Sequence, residues 1–167
     1  PIYAADIIGS PTMKKLFQKN ELLFALIWIF VYVFGFSSAD LLSEKIGLEK
    51  SVTAALGLVL SACLFAFVFK NRLLKHVGLC AFQGSMKKNL FFVPLIVLSL
   101  VNVWNGFQLN YSRSASVLWI VSMLFVGFLE EIIFRGLLFN AMRKDNLKTA
   151  IIVSSLTFGI GHIVNLL

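Results

Sequence analysis

Residues 116–135 decide the fold of this chain, and they read SVLWIVSMLFVGFLEEIIFR. The uninterrupted apolar stretch Ser116–Leu129 is followed by two adjacent carboxylates, Glu130 and Glu131, and by Arg135. These charges interrupt a segment that is otherwise suited to a lipid bilayer. Each charged side chain at membrane depth costs about 2.5–3.5 kcal/mol on insertion scales, and such residues usually face a protein interior or a cavity and act there.

The composition is that of a membrane protein. Of the 167 residues, 59% are hydrophobic and 14% are charged, and the mean hydropathy is +0.88. Soluble domains are about 45–50% apolar and about 25% charged. Because a transmembrane helix needs about 20 apolar residues, the sequence predicts an all-α polytopic membrane bundle with about five transmembrane helices. The predicted spans are Leu22–Ala39, Ser51–Phe69, Leu90–Phe107, Ser114–Asn140 and Thr149–Leu167.

We expect a single membrane domain over residues 13–167. The tripeptide MKK at 13–15 resembles a natural start, so residues 1–12 are expected to be a non-native or upstream leader. Basic and apolar residues alternate from Lys70 to Asn89, which predicts that part of this connector lies along the membrane surface as an amphipathic helix. The polar stretch Asp40–Lys50 is expected to form a solvated loop.

The net charge of +7 has a distribution that predicts topology. Basic residues are concentrated before the first span, after the second and after the fourth, whereas the alternate loops hold few. Because basic loops remain cytoplasmic, the N-terminus is expected in the cytoplasm. The charge therefore predicts contact with the lipid bilayer and no nucleic-acid partner. The residues concerned are Lys14, Lys15, Lys19, Lys70, Arg72, Lys75, Lys87, Lys88, Arg143, Lys144 and Lys148.

A short turn near Asn146 predicts that the last two spans run antiparallel. Glu130 and His162 each lie 16 positions from Asn146, so with a rise of about 1.5 Å per residue in regular helices they should lie at the same depth. Glu131 and Arg135 have the i,i+4 spacing of an intrahelical ion pair, which leaves Glu130 available as a base. A buried glutamate beside a neutral histidine is suited to activating water.

The last span contributes two more candidates, because Phe158 and Asn165 share a broad helical face with His162. The candidate catalytic residues are therefore Glu130, Glu131 and His162, and the candidate supporting residues are Arg135, Phe158 and Asn165. The residues alone favour a functional site but do not fix its reaction, and intramembrane Glu and His also build the proton relays of transporters, so a proton-coupled transporter stays an alternative. No cofactor is required, although a divalent metal such as zinc, with Glu130 and His162 as candidate ligands, remains open.

At these positions the chain resembles the CAAX-protease and bacteriocin-processing family of intramembrane proteases, also called CPBP or Abi. The family is marked by EExxxR and by FxxxH on the next helix. These motifs match EEIIFR at 130–135 and FGIGH at 158–162. A third family motif, a histidine followed four residues later by Asn or Asp, is not in this sequence, so we expect a chain truncated before it.

The resemblance implies an intramembrane endopeptidase that hydrolyses a peptide bond with glutamate-activated water. It implies that Glu130 is the general base, that His162 holds the water or stabilises the intermediate, and that Glu131 and Arg135 support the site, with Phe158 shaping it. Members are often called metalloproteases, and a metal-free glutamate mechanism has also been argued. The implied setting is the bacterial cell membrane, with a peptide or membrane-protein substrate rather than a prenylated one, or a role in bacteriocin immunity. Because the third motif is missing, the activity of this chain stays open, and the alternative is a non-proteolytic membrane immunity or scaffold protein of the same fold.

Overall fold

The computed structural model describes residues 11–81, 90, 93–94, 97 and 112–164, apart from the side chains of residues 11 and 161–164. Within these residues the chain is helical, and it forms one bundle. The elements are α1 Pro11–Lys19, α2 Glu21–Ile46, α3 Ser51–Lys70, α4 Arg113–Glu130, a π-helical segment Glu131–Leu138, α5 Phe139–Arg143 and α6 Leu147–Val164.

Three of the described helices are long and apolar enough to cross a membrane. They are α2, α3 and the continuous helix Arg113–Arg143, which runs through α4, the π-helical segment and α5. Large apolar side chains such as Phe30, Val59 and Leu124 are exposed on their outer faces, as expected for surfaces that contact lipid. The predicted all-α membrane bundle is confirmed.

The first, second and fourth predicted spans correspond to these three helices. The fifth corresponds to α6, whose described residues Leu147–Ile160 form a shorter apolar helix. The third predicted span, Leu90–Phe107, lies largely outside the described residues. Helix α1 crosses the predicted boundary at residue 12, and its Phe17 is buried in the core.

The prediction of a solvated loop over Asp40–Lys50 is wrong for its first part, because α2 continues to Ile46. Asn20 begins the helix, and its side chain accepts a hydrogen bond from the backbone N–H of Leu23. Gly47 ends it in the left-handed conformation, with φ of 75°, and its N–H donates to the carbonyl of Glu44. Polar residues can extend an apolar helix for two turns until a glycine stops it.

The short loop that remains is tied to three helices. Lys50 Nζ lies 2.8 Å from Asp40 Oδ1 and 4.6 Å from the centroid of the Trp119 ring. Thr53 Oγ1 donates to Asp40 at 2.5 Å, and Trp119 Nε1 donates to Glu49 at 3.1 Å. These contacts connect α2, α3 and α4 at this end of the bundle.

The core lies where α2, α3 and the π-helical segment meet. Phe24 of α2 stacks on Phe67 of α3 with a centroid distance of 4.9 Å, and Phe17 of α1 contacts the edges of both rings. The π-helical segment contributes residues that are almost completely buried, among them Ile132, Ile133, Leu137 and Leu138. The segment that carries the charged motif is therefore also a central packing element.

Gly57 allows α3 and α4 to approach each other closely. A Cβ atom added there would lie 2.8 Å from Cβ of Phe125, whereas a Cβ atom added at Gly127 would meet nothing within 4 Å. Because the Phe125 Cβ is attached to the backbone, it can move aside only if the helix moves. Small residues commonly permit such contacts between membrane helices.

We predict that Gly57→Ala lowers the thermal unfolding midpoint of the detergent-solubilised protein, because overpacking costs about 1–3 kcal/mol. Gly127→Ala is the matched control: it gains the same helix propensity, about 0.5–1 kcal/mol, without the steric conflict. Equal midpoints for the two variants would contradict the close α3–α4 contact.

Candidate active site

The motif residues lie at a change in helix type. The helix is an α-helix up to Glu130 and a π-helix over Glu131–Leu138, where the N–H of Phe139 donates to the carbonyl of Phe134, five residues earlier. The equal depth expected for Glu130 and His162 assumed regular helices, and the π-helical segment departs from that condition. π-Helical turns are rare and occur often at functional sites.

Glu130 faces α2 and is partly buried. The hydroxyl of Tyr32 donates a hydrogen bond to its Oε1 at 2.8 Å. A hydrogen bond to a carboxylate is shorter and stronger than one between neutral groups. The bond therefore holds Glu130 in a defined orientation between α2 and α4.

Glu131 and Arg135 form the predicted ion pair, with Arg135 Nη1 at 3.1 Å from Glu131 Oε1. Their side chains are 58% and 77% exposed, so this carboxylate lies in a more open environment than Glu130. The two adjacent glutamates thus have different partners, a tyrosine hydroxyl for one and a guanidinium for the other. Pairing also lowers the cost of placing these charges in a membrane helix.

An aromatic row connects the site to α6. The Phe134 ring meets the Tyr32 ring edge-on with a centroid distance of 6.3 Å, and the Phe158 ring edge-on at 5.8 Å. Edge-to-face pairs of this kind contribute about 0.5–1.5 kcal/mol beyond the area that they bury. Tyr32, Phe134 and Phe158 therefore bring three helical elements together beside Glu130.

The predicted turn between the last two spans is present. The contact between the Phe134 and Phe158 rings shows the register in which the two helices pack. Asn146 begins α6, where its side chain accepts hydrogen bonds from the backbone N–H groups of Lys148 and Thr149. Phe134 and Phe158 each lie twelve positions from Asn146, and they are in contact. This is the antiparallel register from which an equal depth for Glu130 and His162 was expected.

The two remaining candidates cannot be placed fully. The backbone of His162 belongs to α6, but its side chain lies outside the described residues, as does the whole of Asn165. The pairing of Glu130 with His162 therefore stays a prediction. The same holds for the metal site, since no group of three His, Cys, Asp or Glu that could hold a metal occurs among the described residues.

The connector after α3 is built against this site. An amphipathic surface helix was predicted for part of Lys70–Asn89. The described residues 71–81 form turns, and residues 82–89 lie outside the described residues, so the helix stays a prediction there. Asn140 anchors these turns, because its buried side-chain Nδ2 donates to the carbonyls of His76 at 2.6 Å and Gly136 at 2.7 Å. A Cβ atom at Gly136 would lie 2.8 Å from Cβ of Val77, so only glycine permits this approach. Tertiary contacts thus hold the described part of the connector against the helix.

Tyr32 and Asn140 are the residues that sequence reasoning missed. Each is a polar side chain in an apolar helix, and such residues usually find partners inside the protein. That rule indicates that partners exist, but it does not say which ones. Tyr32 and Glu130 are separated by 98 positions, and no spacing rule links residues so far apart.

Residues 112–167 match the family model described as type II CAAX prenyl endopeptidase Rce1-like. The resemblance to the CPBP intramembrane proteases is confirmed. The match covers about one third of the chain and includes α4, the π-helical segment, α5 and α6. Comparison with curated proteins and with solved structures gave no match. The matched family is one of membrane proteases, which supports a multi-pass membrane hydrolase with a peptide substrate as the general class.

We predict that Asn140→Ala loosens the connector, because two backbone carbonyls lose their buried donor at a cost of about 1–3 kcal/mol. Hydrogen exchange followed by mass spectrometry should show amides of residues 73–79 exchanging about tenfold faster or more. Thr157→Val is the control, since it removes a single hydroxyl that donates to Val153 within α6. Unchanged exchange in the Asn140 variant would contradict its anchoring role.

Proposed function

We propose that this chain carries the glutamate site of an intramembrane endopeptidase that hydrolyses a peptide bond of a peptide or membrane-protein substrate. The observation that supports it best is the position of Glu130. Its carboxylate lies in a candidate membrane span, next to a π-helical segment. The carboxylate accepts a hydrogen bond from Tyr32 and forms no ion pair with a cation among the described residues. The match of this region to a protease family supports the same reaction.

In the proposed reaction Glu130 acts as the general base. One carboxylate oxygen accepts the hydrogen bond of Tyr32, and the other takes a proton from water as the water oxygen attacks the scissile carbonyl carbon. The tetrahedral intermediate then collapses, the C–N bond breaks, and Glu130 returns the proton to the leaving amine. The products are a carboxylic acid and an amine, so atoms and charge balance.

The other candidates take the roles that the family resemblance implies. His162 holds the attacking water or stabilises the intermediate. Asn165 is a supporting candidate from its sequence spacing to His162 and not from the resemblance. Glu131 and Arg135 keep a neutral pair beside the base, which avoids an additional unpaired charge at the site. Phe158, through its contact with Phe134, shapes the wall next to Glu130.

The proposed setting is a bacterial cell membrane with the N-terminus in the cytoplasm. The distribution of basic residues supports this orientation. Three elements that carry those residues meet at one end of the bundle, where Glu21 at the start of α2 contacts Lys144 of the α5–α6 turn at 2.7 Å and His76 of the connector at 3.7 Å. The proposed substrates are bacterial peptides or membrane proteins.

We predict that Glu130→Gln abolishes peptide cleavage, with a fall of at least about a hundredfold, because the amide cannot accept the proton of water. Cleavage of a quenched-fluorescence peptide library by the protein in proteoliposomes provides the measurement. Glu44→Gln is the control, since Glu44 is an exposed glutamate near the C-terminal end of α2. Full cleavage by the Glu130 variant would overturn the proposal, and a retained immunity phenotype in cells that lack cleavage would favour the non-proteolytic alternative.

We predict that Tyr32→Phe lowers kcat roughly tenfold or more while KM changes less than about twofold. The substitution keeps the ring and its contacts with Phe36 and Phe134 but removes the hydroxyl that orients Glu130, and hydrogen bonds to charged groups contribute about 1.5–3 kcal/mol. Ser122→Ala is the control, because it removes a buried hydroxyl of α4 that donates to Trp119. Equal kcat values for the two variants would exclude an orienting role for Tyr32.

A further inference from the structure

An open cavity of about 320 Å³ lies between the connector and the outer face of the π-helical segment. This volume is at the lower end of the range found for ligand pockets, about 300–1,000 Å³. Glu130 does not line it, although Glu131 and Arg135 do. We call it the basic cavity, because the cations Lys75, Arg135 and Arg143 surround it.

The charge of the basic cavity is not balanced by the protein. Glu131 is its one acidic lining residue, and Arg135 already pairs with it. Lys75 and Arg143 make no ion pair with any residue in the part of the chain that the structure describes. The nearby carboxylate of Glu21 is held by Lys144 at 2.7 Å. Two cations therefore remain for an anionic ligand.

The walls of the basic cavity are held in place before any ligand arrives. The connector is fixed to the helix by the two hydrogen bonds of Asn140 and by the close contact between Gly136 and Val77. A site whose groups are already positioned loses less conformational entropy on binding. The backbone on both sides of the basic cavity is thus fixed, and Lys75 and Arg143 extend from it as exposed side chains.

Beside the polar lining residues His76 and Asn140, an apolar part of the wall comes from Phe128, Ile132 and Phe139. They belong to the candidate span Arg113–Arg143, so the cavity combines a cationic rim with an apolar wall on a helix long enough to cross a membrane. A phospholipid has the same division between an anionic headgroup and apolar chains. Basic pockets between membrane helices are known to bind lipid headgroups, and arginine suits phosphate oxygens because it can donate two parallel hydrogen bonds.

We propose that the basic cavity binds the phosphate-bearing headgroup of an anionic phospholipid, with Lys75 and Arg143 as its main cationic contacts. Arg135 lines the same cavity, so the bound lipid would lie beside the Glu131–Arg135 pair. The proposal goes beyond the proposed peptidase function and does not depend on it, since its test requires no catalytic activity.

The experiment measures binding of short-chain phosphatidylglycerol to the detergent-solubilised full chain by native mass spectrometry. Short-chain phosphatidylcholine serves as the zwitterionic comparison, and glycerol phosphate tests whether the anion alone is sufficient. The double variant K75Q/R143Q removes the two unpaired cations. The double variant K15Q/K148Q is the matched control, because both of its lysines are exposed on basic segments and neither lines the cavity.

We expect phosphatidylglycerol to bind more tightly than phosphatidylcholine, and K75Q/R143Q to weaken this binding by about tenfold or more, since each basic residue contributes appreciably to anionic-lipid binding. K15Q/K148Q should change it by less than about twofold. Equal losses in both double variants would show diffuse surface attraction and overturn the proposal. If glycerol phosphate binds as tightly as phosphatidylglycerol, the cavity is not a lipid site. If a short peptide with a free C-terminal carboxylate binds more tightly than phosphatidylglycerol, the cavity is a peptide site instead.

Discussion

Polar groups inside a membrane must find their partners within the protein, because lipid offers neither hydrogen bonds nor counter-charges. The arrangement around the π-helical segment follows from this constraint. Glu130 accepts a hydrogen bond from Tyr32, Glu131 pairs with Arg135, and Asn140 donates to two backbone carbonyls. The contacts of Glu130 and Asn140 join separate parts of the chain, and the Glu131–Arg135 contact neutralises a charge. The polar residues that cost most to insert into a membrane are therefore the ones that define the geometry of the candidate site.

The π-helical segment is where packing and chemistry meet. One side carries almost fully buried aliphatic residues, such as Ile133 and Leu137, that form the core with α2 and α3. The other side carries the exposed Glu131–Arg135 pair and opens into the basic cavity. The core therefore fixes the backbone from which the exposed Glu131 and Arg135 side chains extend. A site supported by a packed scaffold needs little reorganisation to act.

The two ends of the bundle are stabilised differently. At one end a loop of four residues is closed by the ion pair and cation–π contact of Lys50 with Asp40 and Trp119. At the other end the connector, the start of α2 and the α5–α6 turn meet around Glu21 and Asn140. The second end carries most of the basic charge and adjoins the candidate site. Substrate or lipid that approaches from this side would therefore meet a cationic surface first.

The sequence by itself determined the class of this protein, because hydropathy and charge distribution are sums over many residues and local contacts hardly change them. It also determined the Glu131–Arg135 pair, since that contact depends on local helical spacing, and the motifs at 130–135 and 158–162 indicated a resemblance to a protease family that residues 112–167 match. Only the tertiary structure decided the π-helical turn, the conformation of residues 71–81 and the partner of Glu130. The physical reason is that each of these depends on contacts between residues far apart in the chain: Tyr32 reaches Glu130, and Asn140 reaches His76, only after the helices have packed.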